Sequence, residues 1–317
     1  MQARPLMPPL PLFRRRPRTA FAALTGVADA PLIRHGPRDA AVPAGGWLPV
    51  TEGLAGPLRA AWRLLLMAFW TLLCIPVQTV LLLLPGQSKR HFPQFYHRVM
   101  CGLIGLKIQV IGQASRSRPV LFLCNHASWL DIMVLGSVLE GAFVSKAEVG
   151  EWPLIRTVAR LGRTVFVSRS RGRTGQEAIA MRDRLRQGEN LILFPEGTSN
   201  DGTRVLPFRS SFLGVADAAV SVQPVSVAYD RLGALPAGRR DRPVFAWYGD
   251  MEMGRHFWQL ACRPGGRVTV LLHEAVPPNA FRDRKALTRA VERTVANGAA
   301  TLRQNRPARP LSTHAHA

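Results

Sequence analysis

The sequence is poor in lysine, acidic residues and cysteine. It has 20 Asp and Glu residues against 42 Lys and Arg, of which four are lysines, so its formal net charge is +22 over 317 residues. This imbalance favours acidic substrates, anionic membranes or nucleic acids as partners, although the excess of arginine over lysine also fits nucleotide bias in the gene. A hydrophobic share of 47% excludes a disordered polycation, because it is enough to fill a substantial core.

The few cysteines exclude a disulfide framework. Cys74, Cys101, Cys124 and Cys262 are far apart and form no C-x-x-C pair, which fits a reducing compartment. The histidines at positions 91, 97, 314 and 316 lack partners with metal-ligand spacing. We therefore predict no metal site.

Both termini are predicted to be flexible. Residues 1–50 contain nine prolines and seven arginines but two acidic residues and no sustained apolar period, so we expect an arm over 1–55. It lacks the apolar core and small-residue cleavage site of a secretory signal, and a misassigned translation start is an alternative. Residues 306–317 are the second segment predicted to be flexible.

One long segment is apolar enough for a membrane. Leu64 to Leu84 contains no charge, and as a helix it would extend about 30 Å, roughly one hydrocarbon core. Pro76 is expected to interrupt the helix, and a second stretch, 95–105, is typical of an interfacial helix. Both flanks are basic, with Arg59, Arg63, Lys89 and Arg90, so charge gives no orientation. We predict a helical anchor over 56–106 that enters from the cytoplasmic side and leaves both flanks in the cytoplasm.

Beyond residue 107, short apolar runs alternate with helical patterns. The runs start near residues 108, 119, 142, 164, 190, 222, 244 and 267, and strand alternating with helix predicts an α/β fold. The clearest helices are 174–187, closed by Gly188, and 283–304. We predict one α/β domain over 107–305, with a mixed or mostly parallel sheet flanked by helices.

The first motif with chemical content is Asn125-His126-Ala127-Ser128-Trp129-Leu130-Asp131, directly after an apolar strand. A strand, a polar turn and a helix place side chains at the carboxyl edge of a sheet, where α/β enzymes build their sites. A carboxylate on one ring nitrogen of His126 would fix the tautomer and leave the other nitrogen to take a proton. The alternative is a capping box, Ser128-x-x-Asp131, with His126 as a bystander.

The second motif is Phe194-Pro195-Glu196-Gly197-Thr198, which also follows an apolar strand. Pro and Gly beside a glutamate favour a turn whose exposed backbone N–H groups could bind an oxyanion or a hydroxylated head group. A simple strand-to-loop turn is the alternative.

Together the two motifs resemble the glycerolipid acyltransferase family, whose defining blocks are NHxxxxD and FPEGT. NHASWLD and FPEGT match both, and the resemblance extends over about residues 60 to 275. It implies an integral or monotopic enzyme of the inner (cytoplasmic) membrane, with its active site at the cytoplasmic face. The enzyme would transfer a fatty acyl chain from acyl carrier protein or coenzyme A to the hydroxyl of a lysolipid, with no resident cofactor.

The family implies a role for each matching residue. His126 would be the general base and Asp131 its partner, and the acceptor hydroxyl would attack the thioester without a covalent enzyme intermediate. The absence of a G-x-S-x-G elbow agrees with that. Acceptor binding would involve Asn125, Lys146, Arg169, Glu196, Gly197, Thr198 and Arg204. The run Val222-Gln223-Pro224-Val225 resembles the last, structural block.

Departures from the family pattern concern the acceptor. Members that form phosphatidate often have Arg after FPEGT, where this chain has Ser199, and often Asp-Arg where it has Ser168-Arg169. The run from 197 to 211, with YGDMEM near 250, resembles members that acylate lyso-ornithine lipids. We expect 1-acylglycerol 3-phosphate as acceptor, with lyso-ornithine lipid as the alternative.

A basic segment leaves a third possibility open. Nine arginines and two acidic residues lie between 156 and 186, and Arg156, Arg160 and Arg163 have the spacing of one helical face. This face could meet lipid phosphates or acyl carrier protein, or be solvated surface. A non-catalytic basic binder of membranes or nucleic acid is the alternative of another class. No stacking platform or reading helix is evident in the sequence, so we predict no nucleic-acid partner.

Overall fold

A sheet of eight strands organises the part of the chain that the structure, a computed structural model, describes: residues 54–146, 153–167 and 174–313. The strands are β1 (Leu106–Ile111), β2 (Val120–Cys124), β3 (Ala142–Lys146), β4 (Val165–Val167), β5 (Leu191–Leu193), β6 (Ser221–Leu232), β7 (Leu235–Pro236) and β8 (Gly266–Leu272). The helices are α1 (Ala55–Leu83), α2 (Ser88–Ile104), α3 (Leu130–Val138), α4 (Pro153–Leu161), α5 (Thr174–Arg186), α6 (Arg242–Phe245), α7 (Met253–Ala261) and α8 (Arg284–Arg303).

The sheet is mostly parallel, as the alternating pattern predicts. Its order is β1-β8-β6-β2-β5-β3-β4, with β7 beside β6. All neighbouring pairs are parallel except those of β6 with β8 and β7. Because β2, β5 and β6 run in the same direction, the loops that follow β2 and β5 meet at one edge beside the second half of β6.

The core has two layers, one on each face of the sheet. Phe122 and Cys124 of β2 pack toward α2 and α3, while Leu121 and Leu123 point to the opposite face, which α5 and α8 cover. All five residues of β2 are buried. Such a fully buried strand reads as a continuous apolar run, and it gives the loop after Cys124 a rigid base.

Three expectations from the sequence are wrong. The run at 244 is not a strand: Pro243 lies in the first turn of the short helix α6, and Phe245 stacks on Tyr229 (centroids 5.0 Å apart). Helix α1 continues through Pro76. The segment 306–313 is not a loose tail, because the backbone N–H of Leu311 donates to Nδ1 of His273 (3.2 Å) and Thr313 is buried.

Helix α1 lies along the α/β domain. Near its start, Arg59 donates to the carbonyl of Cys262 (2.7 Å), and Arg63 donates to the carbonyls of Ala261 and Arg263 (3.0 and 2.7 Å). These carbonyls are at the C-terminal end of α7, where the helix dipole favours a cation. Near the end of α1, Gln78 donates to the carbonyl of Leu161 in α4 (3.0 Å). Polar contacts therefore fix α1 at both ends.

The opposite side of α1 is an apolar face. This face consists of Leu58, Trp62, Leu65, Phe69, Leu72, Val80 and Leu83, all more than half exposed. Residues 60, 67, 71, 74 and 78, which are buried, lie on the side that faces the domain.

By length and composition, α1 is the one helix in the described residues that could cross a membrane. Of the predicted segments, 1–53 and 314–317 lie outside the described residues.

The approach of two loops gives a test of the fold. Gly265 (φ +110°) lies against the backbone of Gly105, and a Cβ at Gly265 would collide with that carbonyl. We expect Gly265→Ala to lower the free energy of unfolding by at least about 2 kcal/mol, from backbone strain and overpacking together. Gly233→Ala is the matched control, since it also has positive φ (+58°) but has open space around it. It should cost about 1 kcal/mol. Equal losses in urea denaturation would contradict the close approach.

Candidate active site

The loop after β2 begins with a side chain that fixes it to β6. Asn125 donates from Nδ2 to the carbonyl of Val227 (3.0 Å), and its Oδ1 accepts from the backbone N–H of Val227 (2.8 Å). Asn125 is buried. These two bonds continue the β2–β6 pairing past the last strand residue and hold the loop in place. Contact of Asn125 with a substrate stays a prediction.

His126 and Asp131 are in direct contact. Nδ1 of His126 lies 3.0 Å from Oδ2 of Asp131, and the imidazole is 18% exposed whereas the carboxylate is 1% exposed. The ring of His126 also stacks on Phe194, with centroids 4.1 Å apart. Because Nδ1 faces the carboxylate, Nε2 is the nitrogen that can take a proton from a substrate. The pair has the geometry of a base and its orienting acid.

Asp131 makes the capping contact of Ser128-x-x-Asp131, but the alternative with His126 as a bystander does not hold, because the imidazole contacts the same carboxylate oxygen. Oδ2 accepts from the backbone N–H groups of Ala127 (2.7 Å) and Ser128 (2.9 Å) as well as from His126. The carboxylate lies in the first turn of α3, where the helix dipole favours a negative charge. The capping contacts thus hold the carboxylate that orients the imidazole.

The remaining oxygen of Asp131 is occupied by a residue that the sequence analysis missed. The hydroxyl of Tyr229, on β6, donates to Oδ1 at 2.7 Å. Burial and the neighbouring Asp131 charge raise the pKa of Tyr229 well above its usual value, so the hydroxyl stays a neutral donor. Tyr229 is 98 positions from Asp131, and no local pattern in the sequence connects them.

Glu196 joins the two motifs. Its Oε1 accepts from the backbone N–H of His126 (2.7 Å), and its Oε2 accepts from Nδ2 of Asn200 (2.7 Å) and the backbone N–H of Leu206 (2.8 Å). Glu196 is 2% exposed. Asn200 also donates to the carbonyl of His126 (3.1 Å). The glutamate therefore holds both the loop that carries His126 and the loop from 200 to 206.

In the FPEGT turn, one of the backbone N–H groups that the sequence predicts to be exposed is already hydrogen-bonded. Gly197 has φ +71°, and its N–H donates to the carbonyl of Phe194 (3.1 Å) within the turn, so this N–H is already engaged. A Cβ at Gly197 would lie 3.3 Å from the guanidinium of Arg209. Thr198 is exposed beside it. Arg209, which the sequence analysis also missed, is thus a basic group at the turn.

The structure describes only part of the basic residues that were predicted to bind the acceptor. Arg204 is exposed in the loop after Asn200. Lys146 is the last residue of β3, but its side chain lies outside what the structure describes, as does Arg169 altogether. The predicted basic face is wrong at Arg163, which is half-buried and pairs with Glu189, whereas Arg156 and Arg160 are exposed.

An apolar cavity lies near this site. It has a volume of about 390 Å³, and its wall includes Tyr96, Met100, Ile132, Phe143 and Phe257. Phe143 stacks on Phe194, and Phe257 stacks on Trp129 of the NHASWLD loop. The cavity wall is therefore in contact with the rings beside His126. Within the described residues, no group of three or more His, Cys, Asp or Glu side chains could hold a metal ion.

Comparison with known proteins shows that this α/β sheet, with a histidine–aspartate pair at its carboxyl edge, is that of a lysolipid acyltransferase. The family model described as Acyltransferase matches residues 107–228. A lyso-ornithine lipid O-acyltransferase of Brucella abortus is 38% identical over 251 residues, 76% of this chain and 94% of the relative. The chain therefore belongs to the glycerolipid acyltransferase family.

Other similar proteins fall in two groups. A lyso-ornithine lipid O-acyltransferase of Rhizobium meliloti is 37% identical, over 74% of this chain and 83% of its own. A 1-acyl-sn-glycerol-3-phosphate acyltransferase of Neisseria gonorrhoeae is 29% identical, over 61% and 73%. Among solved structures, the 1-acyl-sn-glycerophosphate acyltransferase PlsC of Thermotoga maritima has the same fold, with a TM-score of 0.58 and 21% identity, over 81% of this chain and 98% of that one.

The buried position of Glu196 predicts a pH dependence of stability. Burial raises the pKa of Glu196 to about 7 from an ordinary 4.5, against the lowering effect of its three N–H donors. Because the folded state then binds this proton more tightly than the unfolded state, the group's contribution to stability falls as pH rises from about 4.5 to about 7. The change amounts to about 3 kcal/mol.

Urea denaturation at several pH values tests this dependence. Between pH 5 and 7 the wild-type protein should lose more stability than Glu196→Gln, which has no proton to release. Glu196→Gln should be less stable at every pH by about 1 to 3 kcal/mol, since its amide turns a donor toward other donors. Parallel pH curves for the two proteins would show that Glu196 is ionised over the whole range.

Proposed function

We propose that the protein transfers a fatty acyl chain from a thioester to the hydroxyl of a lyso-ornithine lipid. The observation that carries the proposal is the contact of His126 with a buried, fully hydrogen-bonded Asp131. A base with its orienting acid and a thioester donor are sufficient for this reaction, because a thioester is already activated toward attack by an alcohol.

The reaction follows from the position of the imidazole. Nε2 of His126 accepts the hydroxyl proton while the hydroxyl oxygen attacks the thioester carbon. The tetrahedral intermediate then expels the thiolate, which takes up the proton as the ester forms. Asp131 stabilises the imidazolium in between, and Phe194 keeps the ring in one orientation.

The donor is acyl carrier protein or coenzyme A carrying the acyl chain. The apolar cavity between α2, α3 and β3 has the lining expected for a hydrocarbon chain, and its wall contacts the rings around His126. The exposed Arg156 and Arg160 on α4 offer a basic surface to an acidic carrier protein or to the phosphates of coenzyme A.

Two observations favour lyso-ornithine lipid over 1-acylglycerol 3-phosphate as acceptor. The relatives that match more of the chain at higher identity carry the lyso-ornithine name, and Ser199 replaces the arginine that phosphatidate-forming members often have after FPEGT. An ornithine head group carries an ammonium and a carboxylate. Asp201 lies in the loop after Asn200, and Arg209 lies at the FPEGT turn, so groups of both signs are near the site.

Membrane attachment is proposed through the apolar face of α1. Because α1 is bound to α7 and α4 along its other side, it would lie in the interface of the inner membrane with the catalytic domain in the cytoplasm. This version agrees with the basic residues at both ends of α1, which would stay on the same side of the membrane.

Competition between acceptors tests the reaction. Membranes containing the protein, given labelled acyl thioester with equal amounts of lyso-ornithine lipid and 1-acylglycerol 3-phosphate, should form mainly ornithine lipid. His126→Ala should lower transfer at least about a hundredfold, the usual contribution of a general base. Phosphatidate as the main product would assign the other acceptor, and undiminished transfer by His126→Ala would refute the mechanism.

Cysteine labelling tests the attachment. With the four native cysteines replaced, single cysteines introduced at Ala55 and at Ser88, both exposed and on either side of the apolar part of α1, should both react with a membrane-impermeant reagent applied to inside-out vesicles. Neither should react in intact spheroplasts. A cysteine labelled only from the opposite side would mean that α1 crosses the bilayer.

A further inference from the structure

We propose that Tyr229 is a positioning residue for the acyl transfer reaction and acts on His126 through Asp131. Its hydroxyl engages one carboxylate oxygen, so that the other faces the imidazole and the loop N–H groups. The inference rests on the proposed function in so far as His126 is the base.

The contacts of Asp131 divide cleanly between its two oxygens. Oδ2 accepts from three donors, the imidazole and two backbone N–H groups, which belong to the consecutive residues 126, 127 and 128. Oδ1 takes the hydroxyl of Tyr229 at 2.7 Å. Asp131 is 1% exposed, so the tyrosine supplies a donor that water has little access to replace.

Tyr229 is itself held by the core. Its ring stacks on Phe245 with centroids 5.0 Å apart and an angle of 9° between the planes. Tyr229 lies two residues after Val227, the residue of β6 that bonds to Asn125. Val227 and Tyr229 therefore both fix the NHASWLD loop to the same strand. Removal of the hydroxyl alone would leave the stacked ring and the loop contacts in place.

The ionisable groups around the pair come from every packed element. Glu196, after β5, accepts from the backbone of His126. Cys124 at the end of β2 and Cys101 on α2 are buried thiols whose pKa values burial raises, so both stay neutral. His256 on α7 bonds to Trp129 of the loop through its Nδ1, and its pKa is lowered to about 4 by burial. Arg303 on α8 interacts electrostatically with Glu196.

The hydroxyl of Tyr229 therefore sets how strongly Asp131 holds a proton on the imidazole. A donor on Oδ1 spreads the carboxylate charge, and without it more charge faces His126 and stabilises the imidazolium. In Tyr229→Phe the neutral base should appear at higher pH. We expect the acidic limb of the kcat/KM profile to move up by about 0.5 to 1 pH unit, the size of one lost hydrogen bond after partial compensation.

The experiment combines kinetics with a titration that needs no turnover. The kcat/KM profile of Tyr229→Phe is measured from pH 5 to 9.5, and activity should recover to within about threefold of wild type above the shifted limb. NMR of histidine-labelled protein in detergent micelles, with the His126 signal assigned by its loss in His126→Ala, should show a titration midpoint moved in the same direction. If the wild-type enzyme transfers no acyl chain, the proposed function fails while the NMR result still decides the role of Tyr229.

Two comparisons make the result specific. Asp131→Asn removes the charge and should move the His126 midpoint to lower pH, and adding Tyr229→Phe to Asp131→Asn should cause no further shift of that midpoint. Thr301→Val, which removes an exposed hydroxyl on α8 that donates to the carbonyl of Asn297, should behave as wild type. A rate loss of Tyr229→Phe that is equal at all pH values, or an unmoved NMR midpoint, would overturn the proposal.

Discussion

The structure of the site depends on one buried carboxylate. Asp131 receives four hydrogen bonds, from the imidazole of His126, two loop N–H groups and the hydroxyl of Tyr229. These donors belong to the loop after β2 and to β6, so a single side chain joins the sheet to the imidazole of His126. A carboxylate with this many donors stays in one rotamer, and the imidazole it contacts is oriented before any substrate binds.

A second buried acid, Glu196 in the loop after β5, also holds two loops together through its hydrogen bonds. Glu196 contacts the backbone of His126, the amide of Asn200 and the backbone of Leu206. In a chain of net charge +22, both buried acids are satisfied mainly by N–H donors and not by arginines. Under the proposed function, the exposed Arg204 and Arg209 would be available to anionic parts of substrates.

Much of the fold could be predicted because its signals are local. The apolar runs of β2, β5 and β6, the helix periodicity of α5 and α8 and the motif His126-x-x-x-x-Asp131 are all readable within a few residues. The prediction of a strand at 244 was wrong because an apolar segment can pack against the sheet without joining it, as Phe245 does. Tyr229 could not be found because its contact spans 98 positions, and only the β2–β6 register brings it to Asp131. Arg204 stays a prediction, and Arg209 could not be predicted because proximity in sequence does not fix which side chain turns back toward Gly197.

The attachment of α1 has a practical consequence for biochemistry. Truncation before Ser88 to obtain a soluble fragment would remove the residues that cover Tyr96 and the carbonyls at the end of α7. The fragment would also expose apolar core residues that Met67 and Trp70 of α1 now cover. Under the proposed attachment, we therefore expect the catalytic domain itself to need detergent or lipid, since α1 packs against it as well as facing the membrane.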